Sequence, residues 1–328
     1  MLRRLRRTLL LAALGSFAAA LIAPPALAAS AYPQRPIRLI VPFPAGGTVD
    51  FAARLVAGRL GAELGGQVIV DNLPGAGGVI ATGRAAKSPA DGYTLLFTTP
   101  NHTINPALFT KLPFDTEKDF VPISLVMQIP ELLVAHSAQP YNDFKGFVAY
   151  AKAHPGQLNY GSAGNGTLPH VTMELLLQRL GVVVTHVPYK GAAPAMNDLL
   201  AGQVAIKMDT IATSAQQIRS GRLKALAIAS PQRSPLMPDV PAIAELGLPG
   251  YQGILWMGIL APAGTDAAVV RRLHEAIARF AKQDDYLKQL KAYGIESVAS
   301  DPDAFGRLIH TELGQWAEVV HKSNIKAE

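Results

Sequence analysis

The feature that most constrains the fold is a regular alternation of strand-like and helix-like segments. Residues 37–43 (IRLIVPF) form an apolar run of strand length, and residues 49–64 (VDFAARLVAGRLGAEL) carry apolar residues at helical spacing. The pattern continues with a strand at 67–72, a helix at 77–88 and a strand at 93–99. Because a βαβαβ series of this kind forms parallel sheets with right-handed crossovers, the predicted fold class is α/β.

The alternation is interrupted once and then resumes. Residues 112–136 form a long, mostly extended segment that could lead the chain into a second unit. Strand-like and helix-like segments alternate again up to residue 230, and a proline-rich connector, an apolar strand at 254–262 and a tail of amphipathic helices follow. This organisation predicts two α/β lobes with a ligand cleft between them. Lobe 1 is predicted at residues 30–131 with 253–328, and lobe 2 at residues 132–252.

The first 29 residues are predicted to be an export signal. Arginines at the start precede an apolar run, and Ala26 and Ala28 provide an A-x-A cleavage pattern. The alternative, a retained membrane anchor, is disfavoured because the run is shorter than the roughly 20 apolar residues that a span requires. The whole chain has a net charge of +6, and since the signal contributes four arginines, about +2 remains after cleavage. The mature protein is therefore expected in the periplasm, with little support for nucleic-acid binding.

The motifs of several enzyme classes are missing from the sequence. The chain has no cysteine, which excludes disulfides, thiolate catalysis and cysteine zinc sites. Neither G-x-x-x-x-G-K-[ST] nor H-E-x-x-H occurs, and Tyr160 stands where a nucleophile elbow requires glycine. His170 and Glu174 lie one helical turn apart and could share a metal, but a helix-start contact and a solvated acid are the commoner roles. No cofactor and no metal are predicted.

Three glycine-rich bends each join a predicted strand to a predicted helix, at residues 44–50, 72–78 and 161–167. The carboxyl ends of parallel strands are where open α/β sheets bind ligands. Helix N-termini there present free N–H groups that favour an anion, and glycine allows the main chain to come close to it. One such bend is usually only a connector, but three of them predict a site for a small anion.

Other polar residues follow predicted strands and have more than one possible role. Asp209 ends the strand at 204–209 and could accept a ligand ammonium or hydroxyl group, or cap the next helix; both roles remain open. Thr48 and Asp50 stand at a helix start, where capping is expected for at least one of them. Lys190 follows another strand and could contact a carboxylate, although a single lysine is more often only solvated.

Several segments resemble one protein family in sequence and order. They include VPFPAGGTVDFAAR, DNLPGAGGVIATGRAAKSPADGYTLLF, YGSAGNGTLPHVTMELL and VPYKGAAPAMNDLLAGQV. The chain resembles the Bug family, the TctC-type periplasmic substrate-binding proteins of tripartite tricarboxylate transporters, over nearly the whole mature chain. The resemblance implies a type II periplasmic-binding-protein fold, in which two α/β lobes close over a ligand. It also implies that the ligand is a small carboxylate: a di- or tricarboxylate, an acidic amino acid or an aromatic acid.

The resemblance further implies a set of ligand-binding residues. The carboxylate is expected to be held by main-chain amides, hydroxyl groups and ordered waters rather than by an arginine. The implied residues are Ala45, Gly46, Gly47, Thr48, Ala76, Gly77, Gly78, Thr98, Asn101, Ser162, Ala163, Gly164, Asn165, Gly166, Thr167, His170 and Asp209.

These features together predict a monomeric extracytoplasmic receptor that makes and breaks no bond. Its expected partners are a small carboxylate and the membrane subunits of a tripartite tricarboxylate transporter, with no nucleic acid. Two alternatives stay open. One is an exported enzyme that acts on an anionic substrate, with His102 or His170 as the base. The other is a sensor whose bound form signals to a membrane kinase.

Overall fold

The computed structural model describes residues 32–326, so the predicted export signal lies outside the described residues. The chain from Arg35 onward forms one compact unit. Within the described residues, no helix combines the length and the apolar character needed to cross a membrane.

The elements alternate as the sequence predicts. The strands are β1 (Ile37–Val41), β2 (Val68–Asn72), β3 (Thr94–Thr98), β4 (Phe120–His136), β5 (Asn159–Ser162), β6 (Thr185–Pro188), β7 (Ile206–Thr210), β8 (Leu223–Ala229), β9 (Ile254–Pro262) and β10 (Glu296–Ser297). The α-helices are α1 (Thr48–Leu64), α2 (Val79–Ala86), α3 (Asn101–Leu108), α4 (Phe144–Ala153), α5 (Leu168–Leu180), α6 (Ala192–Leu200), α7 (Ile211–Arg219), α8 (Ala267–Phe280), α9 (Asp284–Ala292) and α10 (Pro302–Lys322). Short 3-10 turns cover Ala76–Gly78 and Ile243–Leu246.

The strands form one mixed sheet in the order β2-β1-β3-β9-β4-β7-β5-β6, and β8 and β10 also pair with β4. Strand β1 pairs in parallel with β2 and β3, and β5 pairs in parallel with β6 and β7. The predicted parallel pairing of the βαβαβ series is therefore confirmed. Strands β9 and β4 run antiparallel to their neighbours, which the alternation alone does not predict.

Strand β4 is the long extended segment that the sequence places between the two predicted lobes. Its residues 120–130 pair with β9, whereas residues 131–136 pair with β7 on one side and β8 on the other. The predicted lobe boundary after residue 131 falls at this change of pairing partners. The division into two lobes itself stays a prediction.

Separate apolar cores cover the two parts of the sheet. One contains Tyr160, Leu176 and Trp316, and another contains Trp256 and Phe305. Each such side chain contributes about 1.5–3 kcal/mol by burial. Helix α10 supplies residues to both cores, so it packs against elements from both parts of the sheet.

Helix α3 is the main element that the sequence reasoning missed. The segment TTPNHTINP contains asparagine and proline, which favour turns, so its sequence indicates a loop rather than a helix. In the structure Pro100 has helical dihedral angles and precedes a helix that begins at Asn101. The Thr103 hydroxyl contacts Glu312 Oε2 of α10 at 2.7 Å, so a tertiary contact stabilises a helix of weak intrinsic propensity.

Candidate functional site

A cavity of about 410 Å³ lies between two of the glycine-rich bends and helix α3. Its wall combines main chain from both bends with amide side chains, apolar side chains and one lysine. The lining residues are Ala76, Gly77, Asn101, Asn105, Leu108, Phe109, Ala163, Gly164, Asn165, Gly166, Thr167, Pro188, Tyr189 and Lys190.

The bend after β2 has an unusual main-chain conformation. Four successive residues have positive φ: Gly75 (134°), Ala76 (47°), Gly77 (60°) and Gly78 (96°). Ala76 is the one residue of the four with a Cβ, and left-handed backbone of this kind concentrates at ligand-binding sites. The Asn105 side chain donates to Gly77 O at 3.0 Å and so ties this bend to α3.

The bend at residues 161–167 is held by side chains that lie beneath it. Ser162 Oγ accepts from the Gly164 N–H at 3.1 Å, and His170 Nδ1 accepts from the Gly166 N–H at 3.0 Å. Ser162 is fully buried and His170 is 5% exposed. The main chain of the bend therefore faces the cavity while its supports stay in the interior.

Both the backbone conformation and the neighbouring side chain require glycine at position 166. Its φ is +69°, and a Cβ at this position would lie 2.3 Å from Leu108 Cδ1. Helix α3 thus packs directly onto the bend at residues 161–167, with no room for a side chain between them.

A pair of stacked imidazoles lies under the same bend. The rings of His170 and His186 are 3.7 Å apart with an interplanar angle of 19°, and His186 Nε2 lies 2.7 Å from Ser162 Oγ. Burial lowers the pKa of each histidine to about 4. The proximity of His170 contributes to the lowered pKa of His186, and both rings are neutral near pH 7.

The first glycine-rich bend, at residues 44–50, lies outside the cavity that the other two bends line. Residues 45–48 are exposed, and none of them lines the cavity. Helix α1 has Gly47 as its N-cap, without a capping side chain, so the expected cap by Thr48 or Asp50 is wrong. Asp50 instead accepts from the Gly46 N–H at 2.9 Å and from Arg54 Nε at 3.0 Å, contacts that lower its pKa to about 2. The buried carboxylate thereby fixes the bend from inside.

Thr98 and Asp209 are buried strand-end residues that do not line the cavity. Asp209 contacts Lys207 Nζ at 2.6 Å and accepts from the hydroxyls of Thr213 and Ser214, each at 2.6 Å. Three donors of the protein therefore already surround this carboxylate, two of them from the first turns of α7.

The cavity thus brings together about half of the predicted site residues. Those that line it are Ala76, Gly77, Asn101, Ala163, Gly164, Asn165, Gly166 and Thr167. Those that do not line it are Ala45, Gly46, Gly47, Thr48, Gly78, Thr98, Ser162, His170 and Asp209.

Sequence reasoning left out six lining residues. Asn105, Leu108 and Phe109 follow Asn101 at helical spacing, and this signal would have identified them if α3 had been predicted as a helix. Pro188, Tyr189 and Lys190 follow the end of β6, which is the same kind of position as the glycine-rich bends. A single lysine after a strand, such as Lys190, is a weak signal for a ligand site because exposed lysines are common on protein surfaces.

The electrostatics of the cavity favour an anion. Lys190 is the one charged side chain among the lining residues, and none of these residues is acidic. Asn101, Asn105 and Asn165 add side-chain amides. Within residues 32–326, no group of three or more histidine, aspartate or glutamate side chains is arranged to hold a metal.

Two larger cavities lie away from the glycine-rich bends. One, of about 950 Å³, is lined by Arg271, His274 and Arg307 near the starts of α8 and α10. Another, of about 590 Å³, lies beside α1 and β2. Neither is bounded by the bends that follow β2 and β5, so the cavity with both bends is the candidate site.

Comparison with known proteins gives consistent matches over most of the chain. The family described as tripartite tricarboxylate transporter family receptor, TctC, matches residues 52–325. Protein BugT of Bordetella pertussis is 38% identical over 322 residues, which cover 97% of this chain and 98% of BugT.

Solved structures agree with this match. The structure of R. palustris Rpa4515 with adipate is 34% identical, with a TM-score of 0.78 over 90% of this chain and 99% of that one. MatC from Rhodopseudomonas palustris with bound malate is 35% identical, with a TM-score of 0.74 over 88% of this chain and 100% of that one. The predicted α/β fold of the periplasmic-binding-protein type is therefore confirmed.

Proposed function

Because the chain belongs to the tripartite tricarboxylate transporter receptor family, the family that its motifs resemble, we propose that it is a periplasmic receptor for a small carboxylate. Two of the similar solved structures contain carboxylates, adipate in one and malate in the other. Their similarity extends over nearly the whole length of both chains, which supports the same class of ligand here.

The observation that carries the proposal is the composition of the cavity. Main chain from the bends at 76–77 and 163–167, three asparagine amides and the Lys190 ammonium face a space that no lining carboxylate shares. The N–H groups of Gly164 and Gly166 already donate to Ser162 Oγ and His170 Nδ1, so the side-chain amides and the Lys190 ammonium are the donors proposed to hold the anion. Hydrogen bonds from such groups to a charged acceptor are stronger than those between neutral groups. The apolar Leu108 and Phe109 would contact the carbon skeleton of the ligand.

The size of the cavity is appropriate for such a ligand. A volume of about 410 Å³ lies in the lower half of the range that small-molecule sites occupy. Because residues 76–77 and 163–167 belong to different parts of the sheet, a ligand that contacts both would stabilise the conformation in which they are close.

Presentation to a transporter is the biological role that follows from this proposal. The ligand-bound protein would dock onto the membrane subunits of a tripartite tricarboxylate transporter, and the family description supports this partner. Binding and release are sufficient for this role, so no bond is made or broken.

A panel of ligands tests the proposal. Thermal unfolding is measured with adipate, malate, citrate, glutamate and benzoate, each paired with its uncharged amide. A true ligand at 100 times its Kd stabilises the protein by about 2.7 kcal/mol. At least one carboxylate is expected to raise Tm while its amide does not. Equal shifts for the acids and their amides, or no shift for any of them, would contradict the proposal.

The enzymatic alternative assigned the base to His102 or His170. His102 is 1% exposed and its Nε2 contacts Thr116 O at 3.1 Å, and neither histidine lines the cavity. Incubating the protein with the ligand found in the panel, followed by chromatography of the mixture, distinguishes the two functions. Recovery of unchanged ligand supports the receptor, and a new product supports the enzyme.

A further inference from the structure

We propose that the stacked imidazoles of His170 and His186 are positioning residues, which hold the bend at 163–167 in its ligand-binding shape without touching the ligand. The inference rests on the function proposed above and deepens it, because it assigns the supports of that same site. It also gives His170 a different role from the ligand contact that the sequence predicts.

The first step is that two buried acceptors satisfy the bend from below. The Gly166 N–H donates to His170 Nδ1 at 3.0 Å, and the Gly164 N–H donates to Ser162 Oγ at 3.1 Å. Both glycines line the cavity, whereas neither acceptor does. The two acceptors therefore act on the ligand only through the main chain that they hold.

The second step is that His186 joins the two acceptors. Its Nε2 lies 2.7 Å from Ser162 Oγ, and its ring packs against His170 at 3.7 Å and against Tyr160 at 4.8 Å. A shift of His186 would therefore move both supports of the bend at once. Since two rings pack against it and a hydrogen bond joins it to Ser162, a shift of His186 would disturb several contacts at once.

The third step concerns protons. A nitrogen that accepts the Gly166 N–H must carry a lone pair, so neutral His170 has its proton on Nε2. An imidazolium has no acceptor, and protonation of His170 would break this hydrogen bond. Two imidazolium rings at 3.7 Å would also repel each other, so the arrangement requires that the pair stays neutral.

The surroundings keep the pair neutral. Burial is the largest cause of the lowered pKa of each ring, to about 4. Glu174 is the acid near the pair and favours the cationic form of His186, but burial and the neighbouring His170 outweigh it. Glu174 accepts from Tyr160 Oη and from Ser323 Oγ, each at 2.6 Å, which holds its carboxylate in place.

Two substitutions of His170 separate the acceptor from the ring. His170→Phe keeps an aromatic ring but has no acceptor. His170→Asn places Oδ1 near the position of Nδ1, loses the ring and cannot be protonated in this pH range. His310→Phe is the matched control, because His310 is an exposed histidine of α10 that pairs with Glu117 and does not line the cavity.

The first measurement needs no ligand. Amide hydrogen exchange of peptides that cover residues 161–168 is compared at pH 7.5 in the unliganded proteins. His170→Phe is expected to lose protection in this segment, whereas His170→Asn and His310→Phe keep it. If His170→Phe fails to fold, His186→Leu takes its place, because it removes the ring that supports both acceptors.

The second measurement is the affinity for adipate or malate, whichever stabilises the wild type more. His170→Phe is expected to weaken binding about fivefold to tenfold, the effect of one lost hydrogen bond, and His170→Asn to restore most of it. At pH 4, where about half of the wild-type molecules carry the extra proton, the ratio of wild-type to His170→Asn affinity is expected to fall about twofold from its value at pH 7.5. A residue that only fills space would leave this ratio constant.

The outcomes separate this inference from the proposed function. Unchanged protection of residues 161–168 in His170→Phe, or wild-type affinity in that variant, would overturn the positioning role. Failure of the wild type to bind either carboxylate would overturn the proposed function instead, and the exchange measurement would still decide whether the imidazoles hold the bend.

Discussion

Lys190 is the residue whose charge most directly connects the cavity to an anionic ligand. Lys190→Gln removes the charge and keeps an amide donor, and it is expected to weaken carboxylate binding about twofold to fivefold, because an exposed ion pair contributes up to about 1 kcal/mol. The wild type should lose affinity as salt is raised, because ions screen exposed charges, and the variant should lose less. Isothermal titration at two salt concentrations measures both effects.

Lys118→Gln provides the control for this experiment. Lys118 is also exposed, pairs with Asp115 and does not line the cavity. Its substitution should leave both affinity and salt dependence unchanged. If Lys190→Gln keeps the affinity and salt dependence of the wild type, as the control does, the ligand does not contact Lys190.

Glu131 illustrates how a hydrogen-bond count can assign a proton. It is 3% exposed and contacts the hydroxyl of Thr172, which also lies 2.8 Å from Leu168 O. One hydroxyl proton cannot serve two acceptors, so both contacts are satisfied only if Glu131 is protonated and donates to Thr172. Burial raises the pKa of Glu131 to about 8, which agrees with this assignment.

The raised pKa of Glu131 predicts a pH dependence of stability. The folded state keeps a proton that the unfolded state releases between about pH 4.5 and 8, so this group destabilises the fold as pH rises through that window. Glu131→Gln does not titrate. The free energy of unfolding of the variant, relative to the wild type, is therefore expected to increase from pH 5 to pH 8. Urea titrations at pH 5, 6.5 and 8 measure this difference, and a constant value would contradict the protonated assignment.

At the scale of elements, helix α3 depends on a contact that is distant in sequence. Glu312 of α10 contacts the Thr103 hydroxyl at 2.7 Å and accepts from Trp256 Nε1 at 2.9 Å, and burial raises its pKa to about 7. Glu312→Ala leaves the buried Trp256 Nε1 without an acceptor, whereas the Thr103 hydroxyl keeps Pro100 O at 2.9 Å, and the change should cost about 1–3 kcal/mol of stability. Chemical denaturation measures the loss, with Glu318→Ala, at an exposed position of the same helix, as the control that stays near wild type.

The glycine-rich bends differ in how much they tolerate a side chain. Gly166→Ala places a Cβ on a residue with positive φ and brings it into a clash with Leu108. The variant should therefore lose about 1–3 kcal/mol of stability and also bind the ligand more weakly. Gly47 has φ of −86°, and a Cβ there would approach no atom closer than 3.9 Å. Gly47→Ala should therefore fold normally. Melting curves and ligand titrations compare the stability and affinity of the two variants. Equal stability and affinity would contradict the close packing of Leu108 against Gly166.

Local patterns predicted most elements but missed α3 for a physical reason. Hydrophobic periodicity identifies segments that contribute an apolar face to the core, as in α5 and α10. In α3 the stabilising contact is the bond between Thr103 and Glu312, which lie 209 residues apart. No local signal reports such a contact, and asparagine and proline favoured a turn.

For the whole molecule, the sequence predicted part of the lining of the cavity but not its extent. Glycine-rich segments after predicted strands indicated two of the bends that line the cavity, at residues 76–77 and 163–167. The bend at 45–48 carries the same pattern but lies outside the cavity, because Asp50 and the start of α1 fix it elsewhere. The antiparallel pairing of β4 and β9 depends on the tertiary path of the chain, which local pattern does not encode.

The most direct test of the central claim is a carboxylate titration followed by the backbone amide resonances. Saturable shifts are expected to be largest at Ala76, Gly77, Gly164 and Gly166, with one shared Kd for both bends. Saturable binding with its largest shifts elsewhere, at residues 45–48 or beside Arg271 and Arg307, would contradict the claim that these two bends hold the carboxylate.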